Sequence, residues 1–158
     1  MNTPPYDSTQ DTLDHIALVA KNLELVMADL RARRIAHDAS KLTGIEKECF
    51  DVVTPKLKGL TYGSDEYRAT LREMKPALDH HYAHNDHHPE WDRANGINGM
   101  NLISLIEMLC DWKAATQRHA DGDMTRSMEI NKDRFKIDDQ LMQILWNTVR
   151  YLGFDTPK

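Results

Sequence analysis

The chain has little of what several fold classes are built from. Only two of its 158 residues are cysteine, Cys49 and Cys110, and they stand in no metal-binding or redox motif. That excludes a disulfide scaffold and a cysteine-held zinc site. Both fall in apolar-periodic stretches, where buried free thiols in a reducing cytoplasm are expected. No apolar run approaches the roughly 18 residues of a membrane span. Met1 to Gln10 is polar and carries two prolines, unlike a secretory leader. Basic residues are outnumbered, 20 Lys and Arg against 25 Asp and Glu, leaving a formal charge of −5. General nucleic-acid or anionic-membrane binding needs a basic face and is not expected. Arg31, Arg33 and Arg34 form at most a local patch, explained equally well as a solvated helix end. There is no alternating strand pattern, internal repeat or low-complexity tract. What remains is the profile of a soluble, cytoplasmic, single globular domain over residues 1–158, with 1–7 as a flexible lead.

The periodicity is helical throughout. Leu13, Ile16, Ala20, Leu23, Met27 and Leu30 recur at intervals of three and four after a capping-type pair, Ser8 and Asp11, and predict a long first helix. A second helix is expected through Ile35, Ala36, Ala39 and Leu42. Thr43 and Glu46 stand at capping-box spacing and open a segment that Pro55 closes. Lys56 to Gly63 reads as a loop broken by Gly59 and Gly63, after which Ser64 can cap a helix that Pro76 is able to kink. Arg93 to Gly99 reads as another loop. Leu102, Leu105, Ile106, Leu109 and Cys110 then mark a strongly apolar helix reaching to about His119, itself expected at a solvated helix end. A short helix around Met124–Phe135 and a last one from about Asp138 to Leu152 follow. In the last helix Leu141, Ile144, Leu145, Thr148 and Leu152 are expected to face inward, with Gly153 just past its end. The expected fold is all-α, a helical bundle of about six to seven helices.

The chemistry is concentrated between Asp79 and Asp92, where His80, His81, His84, His87 and His88 fall inside nine residues. His80 and His84 share a helical face, and Pro89 ends or bends the element, so His87 and His88 sit at an elbow where side chains can converge. Elsewhere the chain offers His15 on its first helix, the adjacent His37-Asp38, and Asp111 within the apolar helix. An acid in that setting costs several kcal/mol if buried and unpaired, so Asp111 needs a cation or hydrogen-bond partners. Two imidazoles and two carboxylates make a mixed nitrogen and oxygen shell. It suits Mn, Fe, Co, Ni or Zn, with Mg also compatible, better than a closed structural zinc site would.

This order, His, His-Asp, then a late Asp on a helical chain, resembles the HD superfamily of metal-dependent phosphohydrolases. His37-Asp38-Ala39-Ser40-Lys41 resembles its His-Asp-x-Gly-Lys motif, with Ser40 in place of the glycine. His87-His88-Pro89-Glu90 resembles the His-His-x-Glu element of some branches, including the cyclic-dinucleotide phosphodiesterases. More closely, the chain is similar to a poorly characterised family of phages and bacteria. That similarity runs through His81-Tyr82, Asn85, His87 to Glu90, Met100, Ile106 to Ala115, Asn131, Arg134-Phe135 and Asn147-Thr148.

The resemblance implies that His15, His37, Asp38 and Asp111 hold a divalent metal, and that Lys41 binds a phosphate oxygen. His81, His87 and His88 either complete a second metal site bridged by Asp38 or bind phosphate beside a single ion. Dinuclear branches place an extra histidine well before the later pair. Nothing between Asp38 and Asp79 offers one, so His81 would fill that role. His80 and His84 fall off the family positions and are expected to orient neighbours or face solvent. Asp38, Lys41 and Glu90 are the catalytic candidates, Glu90 as proton acceptor or orienter. Lys41, Tyr82, Asn85 and Trp112 are the candidates for holding substrate, with Trp91 a further aromatic for stacking a base.

The implied activity is hydrolysis of a nucleotide or another small phosphate ester, in the host cytoplasm if the chain is phage-encoded. Two readings compete: oxygen chemistry at two irons, and a non-catalytic, metal-stabilised protein that binds a nucleotide or a host factor. A homo-oligomer is compatible with the sequence.

Overall fold

A computed structural model describes residues 6–58, 60, 65–118 and 122–156. They fall into two compact units that divide between Ala36 and His37. The first unit is built on one helix, α1 (Thr9–Ala36). Asp7 opens it, its carboxylate accepting from the Thr9 amide at 3.0 Å and the Thr9 hydroxyl at 2.6 Å. Ser8, the expected cap, instead gives its carbonyl to Thr12. No residue of α1 is buried, because a lone helix has no second element within its unit to bury a stripe against.

The second unit carries α2 (Gly44–Lys58), α3 (Asp65–Glu73), α4 (Lys75–His84), α5 (Leu102–Gln117), α6 (Met124–Phe135) and α7 (Asp139–Tyr151), with short 3-10 turns between some of them. The class is all-α, with seven α-helices and no strand among the described residues. None of these helices is long and apolar enough to cross a membrane.

Three boundaries differ from expectation. Ile35 and Ala36 continue α1, and the chain then breaks at Asp38 before a 3-10 turn, Ala39–Leu42, in place of a second helix. Pro55 lies inside the last turn of α2, which runs on to Lys58. Pro76 starts a helix instead of kinking one. It sits in the first turn of α4, where its missing N–H costs nothing. The expected roles of Gly59, Gly63, Ser64 and His119 lie outside the described residues.

The main core lies among α5, α6 and α7. Leu105, Met108, Leu109 and Trp112 meet Met124 and Met128 of α6 and Met142, Leu145 and Val149 of α7. Each such side chain contributes about 1.5–3 kcal/mol on full burial. On α7 the inward face is Met142, Leu145 and Val149, while the expected Ile144 and Leu152 are exposed. Leu102, Ile106 and Cys110 likewise lie outside the core on α5, and Cys49 is only half-buried, so neither cysteine is a buried thiol. A smaller buried set, Val53, Met74 and Ala77, accompanies the packing of α2 on α4.

Gly153 ends α7 as expected. At φ +66° it lets its own amide reach the Arg150 carbonyl at 3.1 Å, and the Phe154 amide reach that of Val149 at 2.8 Å. The other α7 terminus and the start of α6 are capped by Asp138 and Asp123. Asp123 accepts from the amides of Thr125 at 2.6 Å and Arg126 at 3.2 Å. Asp123→Ala should cost about 1 kcal/mol, read by circular dichroism as a melting point lower by about 2–4 °C.

Candidate metal centre

Four stretches of the second unit bring their donors together: the His37-Asp38 bend, α4, the elbow after α4, and α5. At the bend Asp38 adopts φ 55°, ψ 14°, the left-handed region that aspartate tolerates better than most residues. That turn separates His37 from Lys41 and points the Asp38 carboxylate among the histidines. On α4, His81 is buried, 1% exposed. Asn85 then takes an extended conformation, ending α4, and the amide of His88 returns to the Asn85 carbonyl at 3.2 Å. His87, 2% exposed, and His88 are thereby folded back over His81.

Asp38 Oδ1 lies 3.2 Å from His81 Nε2 and 3.5 Å from His87 Nε2. His81 Nε2 and His88 Nε2 are 2.9 Å apart. On the other side of the same carboxylate, Oδ2 lies 3.6 Å from His37 Nε2, which is 3.7 Å from Asp111 Oδ1. Two donor groups share Asp38, one with His81, His87 and His88 and one with His37 and Asp111, the donor atoms of each lying within 4.8 Å of one another. Bonds of about 2.1 Å to one ion put neighbouring ligand atoms about 3.0–3.4 Å apart. The observed separations, 2.9–3.7 Å, bracket that range.

The protons support the same assignment. Asp38 Oδ1 and His87 Nε2 are buried with no hydrogen-bond partner, and unsatisfied buried polar atoms are rare unless something else is meant to meet them. His81 Nδ1 lies 2.9 Å from Glu46 Oε2. A carboxylate can only accept, so Nδ1 carries a proton. The Asn85 amide nitrogen is also 3.0 Å from that Nδ1, but it cannot donate there; it donates to the His81 carbonyl at 2.8 Å and to Ser40 Oγ at 2.9 Å.

Burial pushes the Asp38 carboxyl upward, yet His81, His87 and Lys41 hold it far below the usual carboxylate range. His88 is pushed down to about 3, chiefly by burial and then by His87 and His81, so it is a neutral donor near pH 7. Asp111 raises His37 to about 9 against burial, helped by Glu107 and Asp38.

His15 stands at an exposed position of α1, in the first unit. Lys41 pairs with Asp38 Oδ2 at 2.5 Å, a cation on the shared carboxylate. Glu90 pairs with Arg134 at 2.7 Å and Tyr82 lies 3.5 Å from the same guanidinium. Both line a cleft of about 410 Å³ with Ile97 and Phe135. Asn85 braces the His81 turn through the bonds above. Trp112, expected to stack a substrate, is a core residue instead, buried and parallel to Phe135 with ring centres 6.2 Å apart. His80 hydrogen-bonds Glu46 at 2.6 Å and stacks on His84.

Two carboxylates stand at the site without having been expected there. Glu46 satisfies a capping-box spacing with Thr43, but it is wholly buried, 0% exposed, among Ser40, His80 and His81. Glu107 lies one turn before Asp111 on α5 and reaches His37 Nδ1 at 2.8 Å and His87 Nδ1 at 3.3 Å. Their signal is two acids one turn apart in an apolar helix, and an acid amid the apolar residues of α2.

Among known proteins, residues 5–151 match the model of a family described as "Family of unknown function (DUF5662)". No curated protein and no solved structure matches the chain.

Proposed function

The chain belongs to this family, DUF5662, and from its site we propose a metal-dependent phosphohydrolase acting on a nucleotide or another small phosphate ester. The observation that carries the reading is Asp38, one carboxylate shared by two donor groups, with a buried Oδ1 that no hydrogen bond satisfies. His37, Asp38 and Asp111 would hold one divalent ion; His81, His87 and His88, with Asp38, would hold a second. The imidazole content favours Mn, Fe, Co, Ni or Zn over Mg. A divalent cation here supplies charge against phosphoryl oxygens and lowers the pKa of water.

Lys41 adds a fixed positive charge beside Asp38, suited to a phosphate oxygen. The protein's net negative charge is no obstacle, because bound ions and Lys41 would set the local field. In the reaction a water oxygen bonds to phosphorus, the ester oxygen leaves, and that oxygen takes up a proton. The HD-like order of His37-Asp38 and Asp111 supports the same chemistry.

The test is a screen of stripped protein reloaded with Mn²⁺, Co²⁺, Ni²⁺, Zn²⁺ or Mg²⁺. Nucleoside mono- and triphosphates are followed by phosphate release, and cyclic dinucleotides by chromatography. We expect turnover of at least one substrate with a transition ion, falling by roughly 100-fold or more in Asp111→Asn, at or beyond the upper range for removing even an indirect ligand partner. An ion that binds without turnover of any of them would overturn the hydrolase reading, and leave a metal-stabilised binding protein or oxygen chemistry at two irons.

A further inference from the structure

We infer that Glu46 and Glu107 are positioning residues, two anionic braces that fix which nitrogen each ligand histidine presents to the site. The inference rests on the metal reading above and concerns residues that are not ligands under it. Every imidazole has two nitrogens, and a neutral one bears a proton on only one of them. A site that needs several Nε2 lone pairs in one place must keep the protons on Nδ1.

The geometry does this twice. Glu46 Oε2 meets His81 Nδ1 at 2.9 Å, and Glu46 Oε1 meets His80 Nδ1 at 2.6 Å. Glu107 Oε1 meets His37 Nδ1 at 2.8 Å and approaches His87 Nδ1 at 3.3 Å. On the far edges of the same rings, the Nε2 atoms of His37, His81 and His87 all lie within 3.2–3.6 Å of an Asp38 oxygen. The carboxylates close the Nδ1 edges and leave the Nε2 edges to the site.

His37, His87 and Glu107 also form a donor group of their own. The 2.8 Å separation from His37 Nδ1 is hydrogen-bonding distance, so this edge is read as closed by a proton. The open face is the one toward Asp38.

Glu46 has no exposed surface, and the hydrogen bonds described for it come from Ser40, His80 and His81. Burying a carboxylate is unfavourable unless a positive charge lies close. An ion on the far side of His81 would provide it, and the carboxylate in turn would make that imidazole a stronger donor. This also gives Ser40 a purpose in the position where the HD motif has glycine. Its hydroxyl donates to Glu46 at 2.9 Å and accepts from Asn85 at 2.9 Å, locking the brace in place.

The test uses the full-length protein, with Zn²⁺ as the probe. Zinc affinity is measured by competition with a chromophoric chelator, and histidine tautomers by ¹⁵N-imidazole NMR of the zinc-loaded protein. In the wild type, His37, His81 and His87 should appear as Nδ1–H tautomers, with strongly deshielded Nδ1–H protons on His37 and His81. Glu46→Gln and Glu107→Gln should each lower zinc affinity by about 10–100-fold and shift the Nδ1–H proton of the braced ring upfield. Ser40→Ala should do the same to His81 more weakly.

Wild-type affinity in both folded Gln variants, or Nε2–H tautomers at His37 and His81 in the wild type, would overturn the positioning role while leaving the metal reading intact. A wild type that binds no zinc, cobalt or manganese would remove the metal reading itself, and the braces with it. The wild-type tautomers decide the matter even if Glu46→Gln fails to fold.

Discussion

Asp38→Asn should leave a folded protein that has lost its metal. Asn keeps the size and the tolerance for the left-handed backbone at φ 55°, so the bend that carries His37 should survive. What disappears is the charge and one of the two acceptor oxygens, at the residue that joins the His81–His87–His88 group to the His37–Asp111 group. The donor group of His81, His87 and His88 would lose its one carboxylate, and His37 and Asp111 would be left as a pair. Affinity for Zn²⁺ or Mn²⁺ should fall by more than about 100-fold, beyond what removing a merely orienting group produces. Metal analysis after dialysis gives the answer, with circular dichroism to show that the helices remain. Full metal content in the variant would mean that the ion sits elsewhere, and the proposed centre would be wrong.

That experiment turns on a residue whose chemistry the sequence displays and whose backbone it hides. His37-Asp38 is visible as an adjacent imidazole and carboxylate, and Asp111 as an acid in an apolar helix that needs a partner; His37 lies 3.7 Å from it. The break at Asp38 is not visible, because aspartate tolerates left-handed backbone without requiring it and Ile35 to Leu42 continues a helical pattern. Glu46 is hidden for the opposite reason. A local rule, the capping box with Thr43, accounts for it so well that its tertiary role leaves no residue unexplained. Glu107 is legible in principle, since i and i+4 share a face. Its weight comes only from knowing that His37 and His87, 70 and 20 residues away in sequence, fold against that face. The apolar stripe of α1 predicts the helix correctly but not its burial, for the hydrophobic period specifies a face and not what covers it. On α7 the rule fails more finely: Met142 and Val149 face in where Ile144 and Leu152 are expected, a change of phase along one helix.

The strongest effect on stability should come from the other face of the helix that carries Glu107 and Asp111. On α5, Leu105, Met108, Leu109 and Trp112 point into the core, and helical geometry sets Glu107 and Asp111 each about 160° around the helix from Leu109. Leu109 is 2% exposed and central to that cluster. Leu109→Ala removes three carbons and leaves a cavity among side chains from two further helices, at a cost of about 2–5 kcal/mol. For a chain of this size the melting point should drop by roughly 10 °C. Below that transition the donors are untouched, so zinc affinity measured on folded protein should stay within about threefold, since a core change of this kind adds independently of sites it does not contact. Glu107→Gln should show the reverse, a small change in melting and a large one in affinity. If Leu109→Ala instead lost metal as steeply as Glu107→Gln, α5 would not be a rigid beam with two independent faces. The donor geometry would then depend on core packing throughout, and the metal would in turn be expected to stabilise the whole second unit.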